Sequence, residues 1–204
     1  MIQNVMSRIK DEMFITFNDV MKWFNAGEEM MYYRPANGGW TIGEVLEHIT
    51  LTNFYLLLLI RKAALKSLQH SMDNDYRSVL QSYEFDWDKM QVVSNRGAAD
   101  WNAPEQMVPS GTVAPGDVKA TLRRQLVECL GMLDDLRNGE GVLHTTMMNM
   151  YGLGKIDVYQ HIYFLVQHAK RHIGQMRAIR DEFEEVVVAS QRFTHGRNQL
   201  SVVA

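Results

Sequence analysis

Apolar residues recur every three or four positions along four long stretches of the chain, which is the spacing of an amphipathic α-helix. Polar residues fill the positions between them, so each stretch would present one apolar face to a core. The four stretches cover residues 2–25, 41–68, 117–138 and 157–188. The pattern therefore predicts four long helices that pack on one another.

Capping and turn residues mark the ends of these stretches. Thr41 and Glu44 form a capping box, in which each side chain accepts a hydrogen bond from the other's backbone amide, so the second helix is predicted to begin there. Asp117 is the predicted N-cap of the third helix. Residues 138–139, Asn-Gly, are predicted to end that helix.

The remaining segments lack a regular pattern. Residues 69–115 contain three of the four prolines, and they are predicted to form an irregular crossover that packs over one end of the helices. Residues 139–155 are predicted to be a loop, and the tail after about residue 190 supports no assignment. We expect one all-α domain over residues 1–204, a four-helix bundle with a long crossover between its second and third helices.

Composition narrows the function classes. The chain has 204 residues, of which 46% are hydrophobic and 22% charged, as in ordinary globular proteins. A net charge of -3 provides no basic surface for nucleic acid. The start lacks the apolar segment of a signal peptide, and the most apolar run, residues 54–60, is too short to span a bilayer. A cytoplasmic protein with no membrane span is predicted, with the single cysteine, Cys129, in its core.

Histidines on the inward faces of two helices are the candidate chemistry. His168 and His172 lie four residues apart on the fourth helix, the spacing at which a helix presents two imidazoles to one metal ion. His48 falls on the inward line of the second helix. An unpaired buried polar group costs about 1–3 kcal/mol, so the ring nitrogens of these histidines must have hydrogen-bond partners or bind a metal ion. The three histidines therefore predict a metal site with an open coordination position, as in catalytic sites.

Other side chains are candidates for contacts around that site. Glu44, one turn before His48, is a candidate partner for its second ring nitrogen. His161, Gln175 and Tyr55 are candidates for contacts to a metal ligand or to substrate. No catalytic side chain is assigned, and a histidine cluster held only by hydrogen bonds remains the alternative to a metal site.

The rest of the sequence favours no other chemistry. A di-iron site would require Glu-x-x-His pairs, and the sequence has none. No nucleophile elbow supports a serine hydrolase. His144 precedes the fourth helix and could approach the site, while His70 and His195 are predicted to be solvated.

The segments "GWTIGEVLEHI" (39–49) and "QHAKRHIGQM" (167–176) resemble the paired signature of the DinB/YfiT-like metalloenzymes. The resemblance implies a four-helix bundle, often a homodimer, with nickel or zinc held by His48, His168 and His172. Proteins of this kind include enzymes that transfer low-molecular-weight thiols to electrophiles and others that isomerise or hydrolyse. The resemblance therefore implies that this protein is a metal-dependent thiol transferase or hydrolase acting on a small molecule. A non-catalytic metal-binding or small-ligand-binding protein of stress response is the alternative.

Overall fold

The computed structural model describes residues 2–73, 75–95 and 103–200, with the backbone alone described at residue 73 and at residues 192–200. Within these ranges the protein is mostly helical, as predicted for an all-α fold. In chain order the α-helices are α1 (Ile2–Trp23), α2 (Glu28–Tyr32), α3 (Ile42–Asp73), α4 (Arg77–Ser82), α5 (Trp87–Gln91), α6 (Pro115–Asp135) and α7 (Val158–Leu200).

The four long helices are the four that the apolar pattern predicts. Helix α7 packs along α1 and α3, and α6 packs along α3 and α1, so each long helix has two long neighbours. Their apolar stripes meet in one core, which includes the fully buried rings of Phe17, Tyr159, Tyr163 and Phe164. Burial of these stripes stabilises the helices far more than intrinsic propensity does.

Two helix starts test the capping predictions. The capping box is present: Thr41 N donates to Glu44 Oε2 at 2.7 Å, and Glu44 N donates to Thr41 Oγ1 at 3.2 Å. The prediction for Asp117 is wrong, because α6 begins two residues earlier, at Pro115. Proline suits the first helical position, since its φ is already helical and it lacks the amide hydrogen that would be left unpaired there.

Helix α7 has a capping box that the sequence pattern did not predict. Asp157 Oδ1 accepts from Gln160 N at 2.9 Å, and Gln160 Oε1 accepts from Asp157 N at 3.0 Å. Burial raises the pKa of Asp157 to about 6, although the hydrogen bond from Tyr83 opposes this shift. The helix then continues to Leu200, well past the predicted end at 188. No glycine or proline interrupts residues 175–195, so no helix breaker ends it there.

The crossover is more regular than predicted. It contains α4, α5 and two short 3₁₀ helices at Val92–Ser94 and Glu105–Met107. Helix α5 and the first 3₁₀ helix pack against α7. The rings of Phe85 and Trp87 stand edge-on to Tyr163, with centroids 5.6 and 5.1 Å away. These aromatic contacts fix this half of the crossover along α7.

The predicted loop at 139–155 contains a small hairpin instead. Strands β1 (Thr146–Met148) and β2 (Gly154–Ile156) pair antiparallel, with Thr146 opposite Ile156. Three-residue strands are too short to show the alternation that predicts a strand. Between them Tyr151 adopts a φ of +54°, a left-handed conformation that is unusual for a residue with a side chain.

Helix α3 combines length with high hydropathy. Among the described residues it is the one helix long and apolar enough to cross a membrane, over Ile42–Met72. The protein itself buries 61% of the most apolar part of this helix. A core helix of a globular protein meets the same criterion, so this feature is weak evidence for a membrane span.

Gly141 is packed against an aromatic ring, and we expect Gly141→Ala to destabilise the protein. A Cβ at this position would lie 2.7 Å from Tyr159 Cζ, while the Tyr159 hydroxyl is held by the Leu136 carbonyl at 2.5 Å. Overpacking of this kind costs about 1–3 kcal/mol. Urea unfolding measures the change.

Gly131→Ala is the matched control for that substitution. Gly131 lies inside α6, and nothing stands within 4 Å of an added Cβ. The alanine is therefore expected to stabilise the protein by up to about 1 kcal/mol through helix propensity. Equal effects of the two substitutions would contradict the packing described for Tyr159.

Candidate metal centre

Three buried histidines from two helices come together in the structure. His48 lies on α3, and His168 and His172 lie one turn apart on α7. One nitrogen of each ring lies within 4.8 Å of the other two. The group could hold a metal ion, since neutral imidazole is a common ligand of divalent transition metals.

The His48 ring is oriented by the backbone of the crossover. Its Nδ1 lies 2.7 Å from the carbonyl oxygen of Met107. A carbonyl can only accept, so Nδ1 carries the hydrogen and Nε2 keeps its lone pair. On one side the ring packs against Trp40, with centroids 4.7 Å apart. His48 therefore presents Nε2 to the other histidines as an acceptor.

The His172 ring carries its hydrogen on Nδ1, as the His48 ring does, but here a side chain accepts that hydrogen. Its Nδ1 lies 2.8 Å from Oε1 of Gln175, which accepts the hydrogen. Its Nε2 lies 3.0 Å from Nε2 of His168. Gln175 thus contacts a candidate ligand directly, in the position where it would orient that ligand.

A hydrogen-bonded cluster leaves these rings incompletely satisfied. His168 can donate one hydrogen from Nε2 to His172, but then Nε2 of His48 has only the hydroxyl of Thr52, at 3.5 Å. In that tautomer Nδ1 of His168, which is buried and has no hydrogen-bond partner in the described part of the chain, is an unpaired acceptor. Among the described residues Nδ1 of His168 lacks a partner in either case, but a divalent cation would engage all three Nε2 lone pairs at once, so the donor set fits a metal ion better.

Burial favours the neutral form of the His48 and His168 rings. Burial lowers the pKa of His48, although the hydrogen bond to Met107 opposes the shift. Burial also lowers the pKa of His168 well below its usual value, and the charges of His172, His48 and Arg171 add to this effect. Neutral imidazole is the form that binds metal, because a metal ion must otherwise displace a proton.

A cleft of about 350 Å³ opens onto the three histidines. Its other walls come from the segment before α3, from the crossover, from the hairpin turn and from α7. They include Trp40, Thr52, Pro104, Met107, Tyr151, Arg171 and Gln175. No carboxylate lines the cleft within the described part of the chain. The histidines therefore face a space large enough for a small molecule.

Glu44 does not contact His48, so the prediction that it would bind the second ring nitrogen is wrong. Its carboxylate binds the Thr41 amide and the guanidinium of Arg34, the latter at 2.6 Å. Despite its partial burial, hydrogen bonds from Arg34 and Thr41 hold the Glu44 pKa below its usual value. The backbone of Met107 takes the place that was predicted for this side chain.

His161 lies outside the three-histidine group and is not among the residues that line the cleft, so the structure does not bring it to the candidate site. Its Nδ1 donates to the carbonyl of Asp157 at 2.9 Å, and its Nε2 lies 3.1 Å from the hydroxyl of Thr146. Both ring nitrogens are therefore used within the protein. This buried histidine joins the hairpin to the start of α7.

Tyr55 does not line the cleft. It is half-buried, and its ring contacts Phe54 with centroids 5.2 Å apart. Steps of three and four residues from Val45 through His48 reach Tyr55 and then Leu59, and this predicted inward line leaves the core here, since Leu59 is 51% exposed. A spacing of 3.5 residues drifts by about 20° per heptad on a straight helix, so the line rotates toward solvent.

Other histidines and the cysteine lie apart from the three-histidine group or outside the described residues. His144 contacts the ring of His70, with centroids 5.6 Å apart, and is not part of the three-histidine group. The side chain of His195 lies outside the described residues. Cys129 is buried, as predicted, and burial raises its pKa to about 12, so the thiol is not activated.

We expect the metal-free protein to lose stability as the pH falls below about 6.5. Burial lowers the pKa of His161 in the folded state, although its hydrogen bond to Asp157 opposes the shift. The unfolded chain therefore takes up protons that the folded protein does not. The contribution of His161 to the free energy of unfolding is fully present above its pKa in the unfolded chain. It is lost as the pH falls toward its pKa in the folded protein. Urea unfolding across this pH range measures the effect.

His161→Gln isolates that contribution from the carboxylates. Asp157, whose pKa burial raises to about 6, acts in the opposite sense, because its protonated form is favoured in the folded state. We expect a shallower fall in the free energy of unfolding between about pH 6.5 and 5.5 in the variant. An identical pH dependence in parent and variant would contradict the buried neutral state of His161.

Comparison with known families agrees with this site. The structure defines a mostly helical protein with a three-histidine group that could hold a metal ion. Residues 18–176, about three quarters of the chain, match the family model of the DinB superfamily. The chain therefore belongs to the DinB superfamily. Neither the search of curated proteins nor that of solved structures found a match.

Proposed function

We propose that the protein is a single-domain four-helix bundle of the DinB type in which His48, His168 and His172 hold one divalent metal ion. Three inward Nε2 atoms, two of them fixed by hydrogen bonds on Nδ1, support this assignment. Nickel and zinc both suit a site of neutral imidazoles. Which of the two is bound depends on the metal supply as well as on the ligands.

We propose that this site catalyses nucleophilic chemistry on a small molecule in the cytoplasm. The reaction is either transfer of a low-molecular-weight thiol to an electrophile or hydrolysis. When bound, a divalent ion would lower the pKa of a water or a thiol enough to make it a nucleophile near neutral pH. The observation that carries the proposal is the cleft, because it gives a small molecule access to the three histidines.

Residues around the cleft have complementary roles in this proposal. Met107 and Gln175 keep the hydrogens on Nδ1 of the two rings that they contact. Trp40 covers one face of His48 and limits the access of water. Arg171, whose guanidinium lies 6.0 Å from the centre of the Tyr151 ring, adds positive charge to the wall and favours an anionic substrate group.

Turnover by the metal-loaded protein tests the proposal. Thiols would be assayed against alkylating electrophiles, and activated esters against water, with zinc-loaded and nickel-loaded parent protein. We expect turnover that is absent in His168→Ala and present in His161→Ala. Stoichiometric metal binding without any turnover would instead favour the non-catalytic metal-binding protein.

We also propose that the protein forms a homodimer through the exposed face of α3. Phe54, Leu58 and Leu65 are 49%, 46% and 63% exposed and project from one side of the helix. Leu58→Glu places a charge on that face and is expected to convert a dimer to a monomer, because burying an unpaired charge is costly. Light scattering after size exclusion measures the mass. A parent that is monomeric at high concentration would contradict the proposal.

A further inference from the structure

Glu47 is a buried carboxylate beside the metal centre that has no place in the chemistry proposed above. It precedes His48 on α3, so its side chain points about 100° around the helix and faces the crossover. Oε1 accepts from the amide and from the hydroxyl of Ser110, both at 2.9 Å. Oε2 accepts from the amide of Gly111 at 2.9 Å.

The crossover is shaped to make these contacts. Gly111 has a φ of +70°, which glycine adopts without steric cost, and an added Cβ there would lie only 3.1 Å from Glu44 Oε1. Ser110 Oγ also bonds the hydroxyl of Thr112 at 2.8 Å, which closes the turn. Hydrogen bonds from amides to an ionised carboxylate are about twice as strong as neutral ones, so Glu47 is a strong anchor for this turn.

The anchored segment also carries the partner of His48. Met107, three residues before Ser110, places its carbonyl oxygen 2.7 Å from His48 Nδ1. The crossover is thus bound to consecutive residues of α3, by the carboxylate of Glu47 and by the ring of His48. Loss of the Glu47 contact would therefore free the segment that places the Met107 carbonyl against His48.

We infer that Glu47 is a positioning residue of the metal centre, which holds residues 107–111 against α3 so that the Met107 carbonyl fixes the His48 ring. In water an imidazole can carry its hydrogen on either nitrogen, and the partner of one nitrogen decides what the other can do. With Met107 in place, Nε2 faces the other two histidines with its lone pair. Without it, a fraction of His48 would carry the hydrogen on Nε2 and could not bind a metal ion.

The test uses three conservative variants and two measurements. Glu47→Gln keeps an acceptor for Ser110 but turns an amide NH₂ toward the amide of Gly111, and Ser110→Ala removes one contact from the other side. Glu140→Gln is the matched control, because Glu140 is also buried and binds a loop, through the amide and side chain of Asn138. Zinc affinity is measured by competition with a chelator. The tautomer of His48 is measured by ¹⁵N NMR in the metal-free protein.

We expect Glu47→Gln to weaken zinc binding by about 10-fold, at the low end of what outer contacts to metal ligands contribute. Ser110→Ala should have a smaller effect in the same direction, and Glu140→Gln should bind zinc as the parent does. In the NMR spectrum, Glu47→Gln should show a mixture of His48 tautomers where the parent shows hydrogen on Nδ1 alone. A general loss of stability would not produce this signature.

Parent-like affinity and a parent-like His48 tautomer in a folded Glu47→Gln protein would overturn the inference. If that variant does not fold, Ser110→Ala decides by the same two measurements. The metal readout rests on the proposed function, whereas the tautomer readout does not. A parent that binds no zinc would therefore contradict the proposed function, and the tautomer of His48 in the variants would still decide the role of Glu47.

Discussion

The His168→Ala variant is expected to lose metal binding almost completely. Its Nε2 lies 3.0 Å from that of His172, and no carboxylate among the described residues of the cleft could replace it as a ligand. Loss of a mere outer contact costs about 10–100-fold in affinity, so loss of a ligand should cost more than about 100-fold. Competition of the metal-loaded protein with a chelator measures this change.

His161→Ala is the control for that experiment. The two histidines lie on the same helix and are buried to a similar extent, with exposed fractions of 1% for His161 and 4% for His168. The control therefore reproduces the loss of a buried imidazole without touching the three-histidine group. Equal loss of metal in both variants would mean that the effect comes from damage to α7.

The second large effect is stabilisation of the folded protein by the metal ion. The three candidate ligands lie on α3 and α7, and the unfolded chain does not hold them together. An ion at 1,000 times its dissociation constant should add about 4.1 kcal/mol to the free energy of unfolding, less any binding to histidines of the unfolded chain. Urea unfolding with and without zinc measures this increment.

The same experiment on His48→Ala separates site binding from non-specific binding. The variant keeps both histidines of α7 but loses the link to α3, so we expect its stability to change little when zinc is added. A full increment in this variant would show that the two histidines of α7 bind the ion by themselves. The three-histidine site would then be wrong as described.

The fold shows which local signals in the sequence are decisive. The capping box at Thr41 is predicted correctly because its two partners are three residues apart and each accepts a hydrogen bond from the other's backbone amide. The start of α6 differs from the prediction because Pro115, a residue that breaks helices at interior positions, suits the first helical position. The pairing of Thr146 with Ile156 was missed because strands of three residues carry no pattern.

The candidate site also contains some residues that the sequence predicts and some contacts that it could not predict. The spacing of His168 and His172 predicts that one helix presents both rings, and the inward phase of His48 predicts that a second helix faces them. The carbonyl of Met107 could not be predicted, because it is a backbone group 59 residues away from His48 in the chain. The same holds for Glu47, whose partners are mostly the amides of a distant turn.

The metal content of the protein as purified tests the central claim most directly. Protein prepared without a metal-chelating tag would be analysed for nickel, zinc, manganese and iron by elemental mass spectrometry, beside His48→Ala and His168→Ala. We predict close to one nickel or zinc ion per parent chain and little metal in either variant. A folded parent that contains no metal, and takes up none after incubation with these ions, would mean that the histidines form only a hydrogen-bonded cluster.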